Sequence, residues 1–143
     1  MKFSRLFFMV VLIVAFWDPG EAKKVKDNTY ESATEPQAIV QGIIDGISTG
    51  DYAMYSRHFS ELMRTSQKRE DFLNLQKKLQ KTLGKLLSLD SLGFYVQRGN
   101  IITLFKAKFS KEKDDVLIKL VLQGSASEPK VAGLWFDSPA LEK

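Results

Sequence analysis

Residues 92–107 read LGFYVQRGNIITLFKA, and the fold turns on this stretch. Arg98-Gly99-Asn100-Ile101 interrupts two β-rich runs as a two-residue hairpin turn, because glycine and asparagine tolerate the positive φ that such turns demand. With the bend placed at Gly99-Asn100, residues whose numbers sum to 199 face each other. Phe94 then lies opposite Phe105, Val96 opposite Thr103 and Leu92 opposite Ala107, all on one face. Successive strand side chains point to opposite faces, so this register gives every neighbouring residue a side.

Working towards the C-terminus, the hydrophilic run Ser110 to Asp115 turns the chain and Val116 to Gln123 forms a third strand. Gly124 to Pro129 makes another turn, and Lys130 to Asp137 a fourth strand. Carried onward, the register places Val116, Ile118, Leu120, Leu122, Val131, Gly133 and Trp135 on the inner face. The opposite parity gives Tyr95, Ile102, Leu104, Leu117, Val121, Ala132, Leu134 and Phe136, with Lys106, Lys108 and Lys119 towards one end. An antiparallel sheet covered on one side normally shows water a polar face. An outer face this apolar predicts a homodimer, sheet against sheet, through Tyr95, Ile102, Leu104, Leu117, Val121, Leu134 and Phe136.

Working towards the N-terminus, the period becomes helical. Thr34 and Gln37 have capping-box spacing and Pro36 sits near the first helical position. Ile39, Val40, Ile43, Ile44 and Ile47 then make one stripe that Gly50 ends. Asp51 caps a short second helix carrying Tyr52, Tyr55, Phe59, Leu62 and Met63. Ser66 caps a third, whose stripe is Phe72, Leu75, Leu79 and Leu83, with Gly84 as its stop. The class is α+β: three N-terminal helices packed on one side of a four-stranded antiparallel meander.

Residues 1–22 read as a signal peptide. Lys2 and Arg5 are the positive region, Leu6 to Trp17 an apolar run of twelve, and Gly20-Glu21-Ala22 a cleavage site. A membrane-spanning helix needs about 20 apolar residues. The expected location is therefore secreted or periplasmic, with membrane contact only through the signal peptide before cleavage after Ala22. Residues 23–34 are a flexible tether, 35–137 the domain and 138–143 a C-terminal tail. The net charge of +4 survives cleavage, because Lys2 and Arg5 cancel Asp18 and Glu21. The chain has no cysteine, which leans towards a bacterial envelope protein.

Three segments, IIDGISTGDYAMYSRHFSELM from Ile43, FLNLQKKLQKTLGKLLSL from Phe72 and KVAGLWF from Lys130, occur in an order that resembles the nuclear-transport-factor-two-like (ketosteroid-isomerase-like, cystatin-like) superfamily. Within it they look like a bacterial domain-of-unknown-function branch. The resemblance implies a cone, with a strongly bent sheet wrapped round the helices and a pocket that some members use for small ligands or catalysis. It also implies dimers through the sheet, and, in catalytic members, an acid with a histidine or tyrosine on the inner wall.

The residues do not complete such a catalytic set. The inner face is apolar, and its acids, Asp90 and Asp137, fall at the rim three strands apart, about 14 Å in a flat sheet. Paired carboxylates of the glycosidase type want roughly 5–9.5 Å. His58 is the single histidine, and with no cysteine a transition-metal site lacks its usual ligands. Lys78, Lys81 and Lys85, with Lys77 and Lys68 nearby, give the third helix a basic face; no aromatics interleave with them, which argues against nucleic acid. The sequence therefore predicts an exported, non-catalytic domain without a cofactor, binding a small apolar ligand or a protein partner. Tyr52, Tyr55, Phe94, Phe105, Leu120 and Trp135 are its expected ligand-lining residues. Two other readings are an isomerase or dehydratase using Asp137 or Asp90 with His58 or a tyrosine, and an envelope adaptor docking on anionic surface.

Overall fold

The computed structural model describes residues 34–125 and 127–143. The expected signal peptide, the tether as far as residue 33 and the side chains of Thr34 and Glu35 lie outside the described residues. Among the described residues four helices come first: α1 (Thr34–Thr49), α2 (Tyr52–Ser56), α3 (Glu61–Ser66) and α4 (Arg69–Thr82). Four strands follow, β1 (Leu86–Gln97), β2 (Asn100–Phe109), β3 (Val116–Ser125) and β4 (Glu128–Asp137), then a 3-10 turn at Pro139–Glu142. The strands pair antiparallel in the order β1-β2-β3-β4, which is the α+β meander expected. The sheet is not strongly curled, so the strongly bent cone is corrected to an open sheet with two edges.

The stripe of α1 is buried as its spacing requires: Ile39, Val40, Ile43, Ile44 and Ile47 all belong to the core. Gly46 lies on the same helix where it crosses α2. A Cβ there would stand 2.6 Å from the Tyr55 backbone nitrogen, so only glycine lets the two helices approach this closely. Asp51 caps α2 as expected, its carboxylate accepting the Met54 N–H at 3.0 Å. The single second helix of the sequence reading is broken in two at Arg57–Ser60. There the chain runs beside β4: Ser60 N–H donates to the Val131 carbonyl at 2.9 Å and Val131 N–H to the His58 carbonyl at 2.6 Å. Ser60 then caps α3 by accepting from Met63 N–H.

Ser66 does not cap the next helix. It ends α3, and its hydroxyl donates to the Met63 carbonyl at 3.1 Å. The first turn of α4 is held by Asp71, which accepts the Lys68 N–H at 3.1 Å. The Gln37 amide donates to the Leu89 carbonyl of β1 at 3.2 Å.

The hairpin turn sits one residue earlier than the sequence reading puts it. Gln97 pairs with Asn100, so Arg98 and Gly99 are the loop, with φ of 52° and 76°. Two positive φ values in a two-residue loop match the strand twist, and Gly99 takes the second of them without a Cβ penalty. Facing residues now sum to 197 and not 199, which keeps the parity near the turn. Phe94 opposes Thr103, and Val96 opposes Ile101. An extra residue, Leu92, then enters between Ser91 and Gly93 and reverses the parity of β1. Leu89, not Leu92, opposes Ala107.

A second bulge decides β4. Leu122 pairs with Val131 but Val121 pairs with Gly133, leaving Ala132 as the extra residue. Past it, β4 is out of step by one with the expected pattern. Leu134 opposes Leu120 and is fully buried, and Phe136 opposes Ile118 and packs against the core. Trp135 opposes Lys119 on the outer face. The physical reason is volume: Leu134 and Phe136 fill the space under the helices, which Gly133 would leave empty. Leu134→Ala should therefore cost roughly 2–5 kcal/mol in urea unfolding. Trp135→Ala should cost clearly less, and the reverse order would contradict the register.

Candidate functional site

The inner face consists of four cross-strand rows. Val96, Ile101, Leu122 and Val131 form the first, and Phe94, Thr103, Leu120 and Leu134 the second. Ser91, Phe105, Ile118 and Phe136 form the third, and Leu89, Ala107 and Val116 the fourth. β2 and β3 are buried along these rows, with Phe105, Ile118 and Leu120 at 0% exposure. Of the expected ligand-lining residues, Tyr52, Tyr55, Phe105 and Leu120 are brought into this interior. Phe94 and Trp135 are not: Phe94 is 50% exposed at the hairpin end and Trp135 is turned outward.

Tyr52, Tyr55, Phe59 and Phe72 make one aromatic cluster, with Tyr55 at 4.7 Å from Phe72 and 4.8 Å from Phe59 between ring centroids. The Tyr52 hydroxyl donates to the Gln67 carbonyl at 2.7 Å. The Tyr55 hydroxyl and Thr103 Oγ1 are buried without a hydrogen-bond partner among the described residues. Burial, chiefly by desolvation, raises the Tyr55 phenol well above its ordinary pKa, so it stays a neutral donor. An unsatisfied buried hydroxyl costs about 1–3 kcal/mol. Tyr55→Phe and Thr103→Val should each raise stability by about 1 kcal/mol in the ligand-free protein, measured by urea unfolding.

The acids are not on the inner rim. Asp90 opposes Lys106 and Asp137 opposes Leu117, so both belong to the outer row Asp90, Lys106, Leu117, Asp137. Three strand spacings put them roughly 14 Å apart. His58 reaches β4 through its backbone carbonyl, which holds Val131. Among the described residues no three His, Cys, Asp or Glu side chains gather closely enough to hold a metal ion, and no described helix is long and apolar enough to cross a membrane. Lys68, Lys77, Lys81 and Lys85 are exposed, and Lys78 is half-buried.

The outer face keeps Tyr95, Ile102, Leu104, Leu117 and Val121 where the parity placed them, and loses Leu134 and Phe136 to the core. Part of it is self-covered. The Trp135 ring lies over Gly133, where a Cβ would stand 2.6 Å from the indole, and Lys119 Nζ sits 5.0 Å from the ring centroid. Ile102 and Val121 are 4% and 7% exposed. Towards the far end, Lys108 and Asp115 pair at 2.7 Å in solvent.

The tail turns back onto the end of the core. Glu112 Oε2 accepts from Ser138 Oγ and from Ala140 N–H, and Leu141 is buried in the core cluster. The hydrogen bond from Ser138 holds the Glu112 carboxyl below its ordinary pKa. A carboxylate lowered on folding contributes stability above its unfolded pKa and loses it as pH falls through the folded value. Amide exchange at Ala140 should thus stay protected from neutral pH past the ordinary glutamate value of about 4.3 and open only as pH falls through the lower folded one, and Glu112→Ala should weaken it at every pH.

The strongest contrast in the molecule lies between its two edges. The β4 edge is covered by the Arg57–Ser60 segment through a parallel bridge at Phe59 and Val131, and it carries Pro129 and Lys130, residues that discourage further pairing. β1 is twelve residues long, and past the Gln37 bond at Leu89 no described strand pairs with its far side. Its Leu87, Leu92, Phe94, Tyr95 and Val96 are 68%, 56%, 50%, 45% and 54% exposed. The cover stops at β2: Ile101 and Thr103 are buried in the same rows, while Phe94 and Val96 on β1 lie bare although they share a face with the core. Sequence reasoning missed this site because it assigned each residue a face and not a cover. The available signal was the apolar run on both faces, Leu92 to Val96, beside Gly93.

No family model matches the chain, and no curated protein does. Among solved structures, one that is similar is AclR, "a putative hydroxylase" from Streptomyces galilaeus, at 12% identity over 75% of this chain and 81% of that one, with a TM-score of 0.44. A likeness at that level bears on neither family nor activity.

Proposed function

We propose that this chain is an exported, non-catalytic binding domain that presents β1 and its hairpin to a protein partner. The observation that carries the reading is the exposure of Leu92, Phe94, Tyr95 and Val96 on an edge strand, set against a β4 edge that is covered. Apolar groups concentrated beside unpaired backbone are the chemistry of strand addition: main-chain bonds supply affinity and alternate side chains supply specificity. Export rests on residues 1–22, and a place in the nuclear-transport-factor-two-like superfamily on the order of helices and meander. An isomerase or dehydratase gains no support from acids on the outer row, too far apart to share a reacting atom.

A second reading has its own observation. The unpartnered hydroxyls of Tyr55 and Thr103, in an otherwise apolar interior, favour a small apolar ligand bearing a hydrogen-bonding group.

A photo-crosslinking residue placed at Leu92 or Val96 in cells should form protein adducts. The same residue at Leu73 on α4, 42% exposed, should not. Equal yields at all three positions would remove the partner reading.

A further inference from the structure

We propose that the lysines on α4 and at its C-terminal end, Lys77, Lys81, Lys85 and Lys111, dock the domain on an anionic lipid surface, a contact independent of the β1 reading above. Residues 72–89 hold Lys77, Lys78, Lys81 and Lys85 and no aspartate or glutamate. The stripe Phe72, Leu75 and Leu79 is buried, and Lys77 and Lys81 stand one turn apart on the side away from it, both exposed. The fold then adds a cation that the helix does not contain. Ser110 N–H donates to the Lys85 carbonyl at 2.8 Å and Lys111 N–H to the Leu83 carbonyl at 2.9 Å, which lays Lys111 across the end of α4. Its Cγ would stand 2.9 Å from a Cβ at Gly84, and its Nζ donates to the Gln80 carbonyl at 3.4 Å.

The helix dipole accounts for Lys81, in the last turn, and not for the rest. Nor do neighbours neutralise these charges: among the described residues ion pairs join Lys108 to Asp115 and Lys130 to Glu128, and none takes one of the four. The acids of α4, Glu70 and Asp71, are confined to its first turn. Glu112, beside Lys111, is turned to Ser138 and Ala140. Two observations choose a lipid surface over a soluble polyanion. Leu73 stands one turn before Lys77 and is 42% exposed, an aliphatic group that an acyl boundary would bury and that offers a nucleic-acid base nothing to stack on. The chain also enters the domain close by. The apolar run Leu6 to Trp17 is followed by Lys23, Lys24 and Lys26, and Gln37, in the first turns of α1, is bonded to Leu89, four residues or about 13 Å of strand past Lys85. Clustered lysines beside a membrane-directed segment are the chemistry that holds anionic headgroups.

The chain has no cysteine, so a single label can be placed. In full-length chain, an environment-sensitive fluorophore on Asn74→Cys, exposed on α4, should shift to the blue on phosphatidylglycerol-rich vesicles and not on pure phosphatidylcholine. The same label on Gln123→Cys, exposed on β3, should shift on neither. The apolar run at 6–17 enters both membranes alike, so the difference between the two lipids reads the lysines. Adding Lys77→Gln and Lys81→Gln to the Asn74 label should lower the ratio of docked to free domain by roughly tenfold or more. Both lysines are exposed, so circular dichroism should show that variant folded. Equal shifts at 74 and 123, a shift at 74 that ignores lipid charge or survives the double substitution, or binding to a DNA duplex as tight as to the anionic vesicles would each overturn the inference.

Discussion

Val131 fastens the helical layer to the sheet. One side of its backbone pairs with Leu122 of β3, and the other is gripped by the carbonyl of His58 and the N–H of Ser60. A residue held from both sides cannot slide, so the mismatch between β3 and β4 is taken up beside it, at Ala132. That extra residue turns Leu134 and Phe136 inward and Trp135 outward. The same grip covers the β4 edge and splits the second helix, because the chain must turn out of the helix at Arg57 and His58 to bring Phe59 beside β4. Four features that look separate along the chain thus share one cause.

The consequence for function is asymmetry. A four-stranded sheet that does not close has two edges, and unpaired edges invite pairing. This molecule blunts one with its own chain and leaves apolar groups along the other. Its interior, by contrast, is closed to solvent: side chains at 0% exposure line β2, β3 and α4, and two hydroxyls find no partner among the described residues. Gly46 tightens that interior further by letting α1 and α2 touch through backbone. Such an interior suits a scaffold, and the surface features worth recognising lie at the hairpin end of β1.

The sequence by itself determined the class, the helix stripes, the Asp51 cap, the strand order and the faces of β2 and β3. Each of these depends on local periodicity or on a turn, and the short range of those signals makes them readable. An even shift of the hairpin register, from 199 to 197, did no harm because side-chain facing repeats every two residues. Only the tertiary structure decided what the two bulges did. Ala132 and Leu92 carry no mark that separates a bulged residue from a paired one, and the choice depends on which of Leu134 and Trp135 better fills a space made by distant helices. The exposed edge of β1 was likewise invisible along the chain, since whether a strand is covered depends on how far across the sheet the helical layer reaches, a distance in space that no periodicity encodes.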